Sequence, residues 1–152
     1  MPYNFSDYGE RVLDHYENPR NVGEILNPDA VAMVGNPACG DLLKMFWRVR
    51  EGKIEEVRFK TYGCAAAIAA SSVTTEMLKG RSLEEAAGLT NRKVSEALGG
   101  LPPMKLHCSV LAEDAVKAAI EDYRTRNERS AINALSTAPG SWTARLTGDF
   151  KR

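Results

Sequence analysis

Leu42-Leu43-Lys44-Met45-Phe46-Trp47-Arg48-Val49-Arg50, Glu51-Gly52-Lys53 and Ile54-Glu55-Glu56-Val57-Arg58-Phe59-Lys60-Thr61 read as two strands around a turn. After Tyr62-Gly63-Cys64 the chain changes abruptly to Ala65-Ala66-Ala67-Ile68-Ala69-Ala70. In the first segment Met45, Trp47 and Val49 share one face, and Lys44, Arg48 and Arg50 share the other. That is the period-2 pattern of a strand with one solvated side. Val57 and Phe59 repeat it against Arg58 and Lys60, so the two segments should pair as an antiparallel hairpin. The alanine-rich stretch from Ala65 to Lys79 ends at Gly80 and reads as a helix with a glycine just past its end.

Outward from this hairpin, Ala30 to Val34 supplies a further strand before Gly35-Asn36-Pro37. Upstream, Ser6 is an N-cap for a helix through Tyr8, Val12 and Tyr16 that ends at Asn18-Pro19. Asn21 to Asp29 reads as a loop. Downstream, Ser82-Leu83-Glu84-Glu85 has the form of a capping box, and Thr90 to Leu98 is a short helix closed by Gly99-Gly100. Two prolines make Leu101-Pro102-Pro103-Met104-Lys105 an extended, exposed loop. Ala112, Val116, Ala119, Ile120 and Tyr123 follow helical spacing from Ser109 to Tyr123. Beyond Arg124 the periodicity weakens, Ala131 to Leu135 adds at most a turn, and Ala138-Pro139-Gly140-Ser141 breaks it. There is no internal repeat. Three strands followed by helices predict an α+β fold, a three-stranded antiparallel sheet packed against several helices.

The 152 residues suit one domain. A chain of this size buries roughly 68–70% of its unfolded surface and needs no disulfide staples. No apolar run approaches the ~20 residues of a membrane span, and nothing at the amino terminus is ordered like a signal peptide, so the expected location is cytoplasmic. The net charge of +0 is unevenly spread. Six basic and two acidic residues from Arg124 onward leave a +4 tail on a −4 body, which argues against a nucleic-acid-binding body.

Three cysteines, Cys39, Cys64 and Cys108, make an odd count that does not fit a simple disulfide framework. Free thiols in a reducing compartment bring metal and sulfur chemistry into question. Their separations of 25 and 44 residues are far from a paired-cysteine knuckle, and three buried small hydrophobes is the plain alternative. Yet each lies at a junction between a loop and an element, beside a glycine or a polar ligand type. Cys64 and Cys108 stand at predicted helix starts, where unpaired N–H groups favour a thiolate. Gly40 and Gly63 would let the backbone approach a bulky inorganic group closely. Asp41, two residues from Cys39, either caps a turn or offers an oxygen ligand. His107 is either an imidazole ligand or a polar helix-start residue. Lys105 snorkels over its loop or neutralises a thiolate-rich site. His15, on a polar helix flank, reads as solvated. A thiol enzyme with Cys108 as nucleophile and His107 as base is the weakest reading, because adjacent residues seldom aim at each other and no orienting group is evident.

Cys39-Gly40-Asp41, Thr61-Tyr62-Gly63-Cys64-Ala65-Ala66-Ala67-Ile68-Ala69, Leu101-Pro102-Pro103-Met104-Lys105 and His107-Cys108-Ser109 resemble the IscU/NifU-type iron–sulfur cluster assembly scaffolds. Asp14-His15-Tyr16-Glu17-Asn18-Pro19-Arg20-Asn21-Val22-Gly23 resembles that family's amino-terminal segment. The resemblance runs from about residue 6 to 125, giving a scaffold domain over 1–125 and a partly helical C-terminal tail over 126–152. It implies an IscU-like fold on which a [2Fe–2S] cluster is built from iron and sulfur and passed to apo acceptor proteins. It implies Cys39, Cys64 and Cys108 as ligands, Asp41 as the group that completes the site and keeps the cluster labile, and His107 as the alternative fourth ligand. Cys108 matches the acceptor of persulfide sulfur from a cysteine desulfurase. Leu101 to Lys105 match the segment bound by Hsp70-type chaperones in some members, and a ferredoxin is a further implied partner. Zinc can replace iron in the family, so a zinc-binding structural or regulatory module is the alternative. The protein would be a monomer or a cluster-bridged homodimer. Three departures stand out: Ala65-Ala66 replaces a common Gly-Ser, Met104 replaces a common valine, and no cysteine follows Cys108.

Overall fold

The structure, a computed structural model, describes residues 8–36 and 40–137. Ser6, Cys39 and the tail from Ala138 onward therefore lie outside the described residues. Three strands, β1 (Ala30–Asn36), β2 (Asp41–Arg50) and β3 (Lys53–Tyr62), form one antiparallel sheet in chain order. The α+β expectation holds. Leu43, Met45, Trp47 and Val49 of β2 all turn inward and are buried, as are Ala30 and Ala32 of β1. Glu51 and Gly52 carry the hairpin turn with φ of +53° and +74°, the paired positive values that match the right-handed twist of the flanking strands.

In β3 the buried residues are Ile54, Val57 and Phe59, and the first two are three apart rather than two. A bulge resolves this: Arg48 pairs with Glu56 but Val49 pairs with Ile54, so Glu55 is an extra residue. The bulge lets both Ile54 and Val57 reach the core.

The helices lie on the inner face. Helix α2 (Ala65–Leu78) packs on β3, α1 (Glu10–Glu17) packs on α2, and α5 (Leu106–Thr137) lies along β1 and β2. The short α3 (Leu83–Ala87) and α4 (Asn91–Ala97) connect them. The Ser82–Glu85 capping box forms in both directions, a device worth about 1 kcal/mol. Helix α2 is buried nearly all round, which its alanines, serines and threonines permit by admitting close neighbours. Their hydroxyls are satisfied within the helix: Ser71 donates to Ala67 O at 2.8 Å and Thr74 to Ala70 O at 2.6 Å. Without those bonds each buried hydroxyl would cost about 1–3 kcal/mol.

Four sequence expectations change. Helix α1 begins at Glu10 with Gly9 as its N-cap and no side-chain cap, so Ser6 lies too far upstream to serve. Pro103–Lys105 form a 3₁₀ turn rather than an extended loop, because Pro103 sits at a first-turn position where a missing N–H costs nothing. Helix α5 begins at Leu106 rather than Ser109 and continues past Arg124 to Thr137, although its surface there is exposed. Asp122 ties it down by accepting from Val31 N at 2.8 Å.

The fourth concerns His15, which is buried rather than solvated. Its Nδ1 lies 2.7 Å from Ser72 Oγ and its Nε2 lies 3.2 Å from Glu76 Oε1. Ser72 Oγ also accepts from Arg20 N at 2.8 Å, so the hydroxyl donates to Nδ1 and Nε2–H faces Glu76. The loop after α1 hangs on these bonds and covers the free edge of β3, where Phe59 exchanges hydrogen bonds with Asn21 and Gly23. Burial above all, helped by Arg20, holds the His15 imidazole below its ordinary value against the pull of Glu76 and Asp14. The folded chain thus keeps His15 neutral at a pH where an unfolded chain would charge it. Stability should be fully present above about pH 6.5 and fall as pH drops below it. In thermal melts from pH 7 to pH 5 the wild type should lose more Tm than His15→Gln; equal losses would remove His15 from the account.

Candidate metal centre

One end of the sheet collects the polar groups. The β2/β3 register sets Leu42 opposite Tyr62, so the first residue of β2 and the residues just past β3 are neighbours. Asp41 occupies the first position and is buried. Cys64 is the N-cap of α2. The 3₁₀ turn delivers the chain into α5 at the same end, with His107 and Cys108 in its first turn. Every described member of the group therefore sits at an element terminus, where backbone N–H groups lack helical partners and favour anions.

The ligand atoms converge. Cys108 Sγ lies 3.7 Å from Cys64 Sγ, 3.8 Å from Asp41 Oδ2 and 3.5 Å from His107 Nε2. His107 Nε2 lies 3.4 Å from Asp41 Oδ2. Asp41, His107 and Cys108 offer three ligand atoms all within 4.8 Å of one another. Beside them opens a cavity of about 290 Å³ whose lining includes Asp41, Tyr62, Cys64, Lys105 and His107. Asp41 thus faces the other candidate ligands, and His107, although a polar residue at the start of α5, turns its Nε2 toward them. Of the two described cysteines, Cys108 is buried in the core and Cys64 is half-buried with its sulfur against that of Cys108. Cys39 lies outside the described residues.

Both described thiols were expected to favour thiolates. Only Cys64 does. Its value is pulled down to about 5, chiefly because the Cys108 thiol donates to it, with the Ala67 amide and Lys105 adding. Cys108 is pushed up by the same shared proton and by burial, the Cys64 and Asp41 charges adding. At only 1% exposure it keeps the proton. Lys105 favours the charged form of both, so its neutralising role is the better of its two readings.

The thiol-enzyme reading meets a geometric obstacle. Contrary to expectation, His107 does reach its neighbour Cys108, and Asp41 supplies an orienting carboxylate. But one nitrogen, Nε2, faces both the thiol and the carboxylate, whereas a nucleophile relay needs one ring nitrogen for each. Asp41, His107 and Cys108 are placed so that they could share a metal ion.

A family model described as NifU-like N terminal domain matches residues 7–130. The chain belongs to this family. It is similar to the iron–sulfur cluster assembly scaffold protein IscU of Escherichia coli K12, 57% identical over 125 residues that span 80% of this chain and 97% of the relative. It is also 54% identical over 120 residues to scaffold protein IscU 1 of Archaeoglobus fulgidus, spanning 79% of this chain and 78% of that one. Among solved structures, the N-terminal part of a nitrogen-fixing NifU-like protein from Brucella abortus superposes with a TM-score of 0.63 at 25% identity. That match covers 80% of this chain and 97% of the other. The fold expected from the resemblance is the family's fold.

Sequence reasoning quoted Tyr62 within a motif but assigned it no place. It is 75% exposed at the cavity rim, and its signal was its position directly before Gly63-Cys64. The asymmetry between the thiols yields a prediction. At pH 7 iodoacetamide should label Cys64 well before Cys108, read by peptide mass mapping, because the thiolate is the nucleophile. Cys108→Ser should slow Cys64 labelling by weakening the donor that holds its proton off; equal labelling of both cysteines would refute the assignment.

Proposed function

We propose that this protein is the scaffold on which a [2Fe–2S] cluster is assembled and from which it is passed to apo acceptor proteins. The observation that carries the reading is the convergence of Asp41, Cys64, His107 and Cys108 at one end of the sheet. The membership of the family and the printed names of its relatives support it; nothing among them favours the zinc module. Cys39, Cys64 and Cys108 are the thiolate ligands in this reading. Asp41 completes the set, with His107 as the alternative fourth group.

The chemistry follows from the donor types. Thiolates and imidazole suit soft and borderline iron, whereas a carboxylate is a harder, weaker partner for a cluster. A mixed set holds its cargo less firmly than four thiolates. A carrier needs that weakness. The iron is cargo, and its sulfur comes from a cysteine desulfurase. Cys108 attacks the outer sulfur of the desulfurase persulfide, forming a new S–S bond while the desulfurase cysteine leaves as thiolate. Cys108 must first lose the proton it shares with Cys64, 3.7 Å away.

The remaining assignments belong to the same reading. The scaffold domain is residues 1–125 and the tail 126–152. An Hsp70-type chaperone would grip Leu101, Pro102, Pro103, Met104 and Lys105, of which Met104 is 78% exposed. A ferredoxin would supply electrons. The protein would act in the cytoplasm as a monomer or a cluster-bridged homodimer, without catalytic turnover of its own. Among the described residues no helix is long and apolar enough to cross a membrane.

Anaerobic incubation with ferrous iron, cysteine and a cysteine desulfurase should give an oxygen-sensitive protein with [2Fe–2S] absorption and a matching Mössbauer spectrum. A colourless product that retains tight zinc instead would refute the reading. In the same assay Asp41→Ala should give a longer-lived cluster; faster loss would count against Asp41 as the source of lability.

A further inference from the structure

Gly63 stands between β3 and the start of α2, beside the metal-centre residues but with no side chain to offer. Its need for glycine is not conformational, because its φ is outside the left-handed region. Gly40 is the contrasting case: φ is +73° and the space where a Cβ would stand is open. At Gly63 that space is taken. A Cβ there would lie 2.7 Å from Asp41 Oδ1, 3.1 Å from Asp41 Cγ and 2.8 Å from Ala67 Cβ. Beside the expected use of this glycine, room for an inorganic group, the hollow over it holds a carboxylate.

Resting on the scaffold reading above, we infer that Gly63 is a positioning residue that holds the Asp41 carboxylate in the site. The carboxylate is wedged. Oδ1 fills the hollow over Gly63, while Oδ2 faces His107 Nε2 at 3.4 Å and Cys108 Sγ at 3.8 Å. Its side chain is 5% exposed, so neither flank yields freely. Cys108 cannot retreat, being 1% exposed in the packed first turn of α5. Ordinary van der Waals contact begins near 3.4 Å, so a methyl group at position 63 forces Oδ1 to move by at least about 0.7 Å. An open side is the cavity lined by Gly40, Tyr62, Gly63, Cys64, Lys105 and His107, and rotation that way takes Oδ2 out of its present place beside Cys108 Sγ. A methyl group pressed against the carboxylate should thus displace a ligand that remains in the sequence.

The test compares wild type, Asp41→Ala, Gly63→Ala and the double variant, all as full chains. After reconstitution with ferrous iron, cysteine and a desulfurase, cluster decay is followed by visible absorption. Gly63→Ala should lengthen the lifetime to within about twofold of the Asp41→Ala value, and the double variant should add no more than that margin, since coupled sites fail to add. An unchanged or shortened lifetime in folded Gly63→Ala, or multiplied effects in the double variant, would overturn the inference. Thermal melts of the metal-free proteins give a second readout. Gly63→Ala should lower Tm less in the Asp41→Ala background, where one of its two clashes is gone; an equal loss in both backgrounds would overturn it. If Gly63→Ala does not fold, Gly63→Ala/Ala67→Gly relieves the Ala67 clash alone and carries the same two measurements. If Asp41→Ala itself leaves the lifetime unchanged, the lability reading fails, and the thermal coupling decides the role of Gly63.

Discussion

The candidate site depends on the antiparallel pairing of β2 with β3. Because Leu42 stands opposite Tyr62, the start of one strand and the end of the other share an edge of the sheet. Asp41 and Cys64 become neighbours although 23 residues separate them in the chain. The register is itself a consequence of burial. A slip by one residue would turn Leu43, Met45, Trp47 and Val49 to solvent and Lys44 and Arg48 into the core. Fully burying an apolar side chain of this size is worth about 1.5–3 kcal/mol, so four of them fix the alignment against any alternative. The Glu55 bulge does the same for Ile54 and Val57 at the turn end. The metal-centre geometry is inherited from an apolar pattern that has no chemistry of its own.

Gathering Asp41, Cys64 and Cys108 poses an electrostatic problem. Two thiolates and a carboxylate, with Cys108 Sγ within 4 Å of each of the others, would repel strongly in a partly desolvated setting. The metal-free chain avoids this by leaving a proton on buried Cys108 and sharing it with Cys64. Lys105 and the Ala67 amide in the first turn of α2 favour the charge on Cys64. Neither α2 nor α5 has an acidic residue in its first turn. In the scaffold reading, incoming iron displaces the proton, so binding and deprotonation are one event.

Much of the fold was legible because it rests on patterns of period two and 3.6. The hairpin, the alanine helix and the capping box all follow from the sequence. The candidate residues Asp41, Cys64, His107 and Cys108 were also legible, from local motifs. What was not legible is non-local. His15 looked like a solvated flank because its partners, Ser72 and Glu76, lie on α2, more than fifty residues away. Helix α5 runs past the point where its apolar periodicity fades, because helices continue where nothing stops them. Cys108 looked like a thiolate from its place in α5, but burial against Cys64 outweighs the helix terminus. Each miss is a case of tertiary surroundings overriding a local preference.

The placement of the ligands on element termini has a mechanical consequence. The core beneath the site is built of strand interiors and the buried faces of the helices; among the described ligand candidates Cys108 belongs to it, Cys64 packs against it, and Asp41 and His107 stand beside it. Groups that hold a cargo at the ends of elements can change partners without disturbing that core, since terminal N–H groups find water as readily as anions. A site built from strand interiors would tie the loss of its cargo to the loss of packing. Here the two are distinct: Asp41 borders an open cavity while Leu43, two residues along, stays fully buried. A rigid floor beneath its ligands suits a carrier, and the fold supplies it by anchoring one ligand, Cys108, in the core while Asp41, Cys64 and His107 stand at its edge.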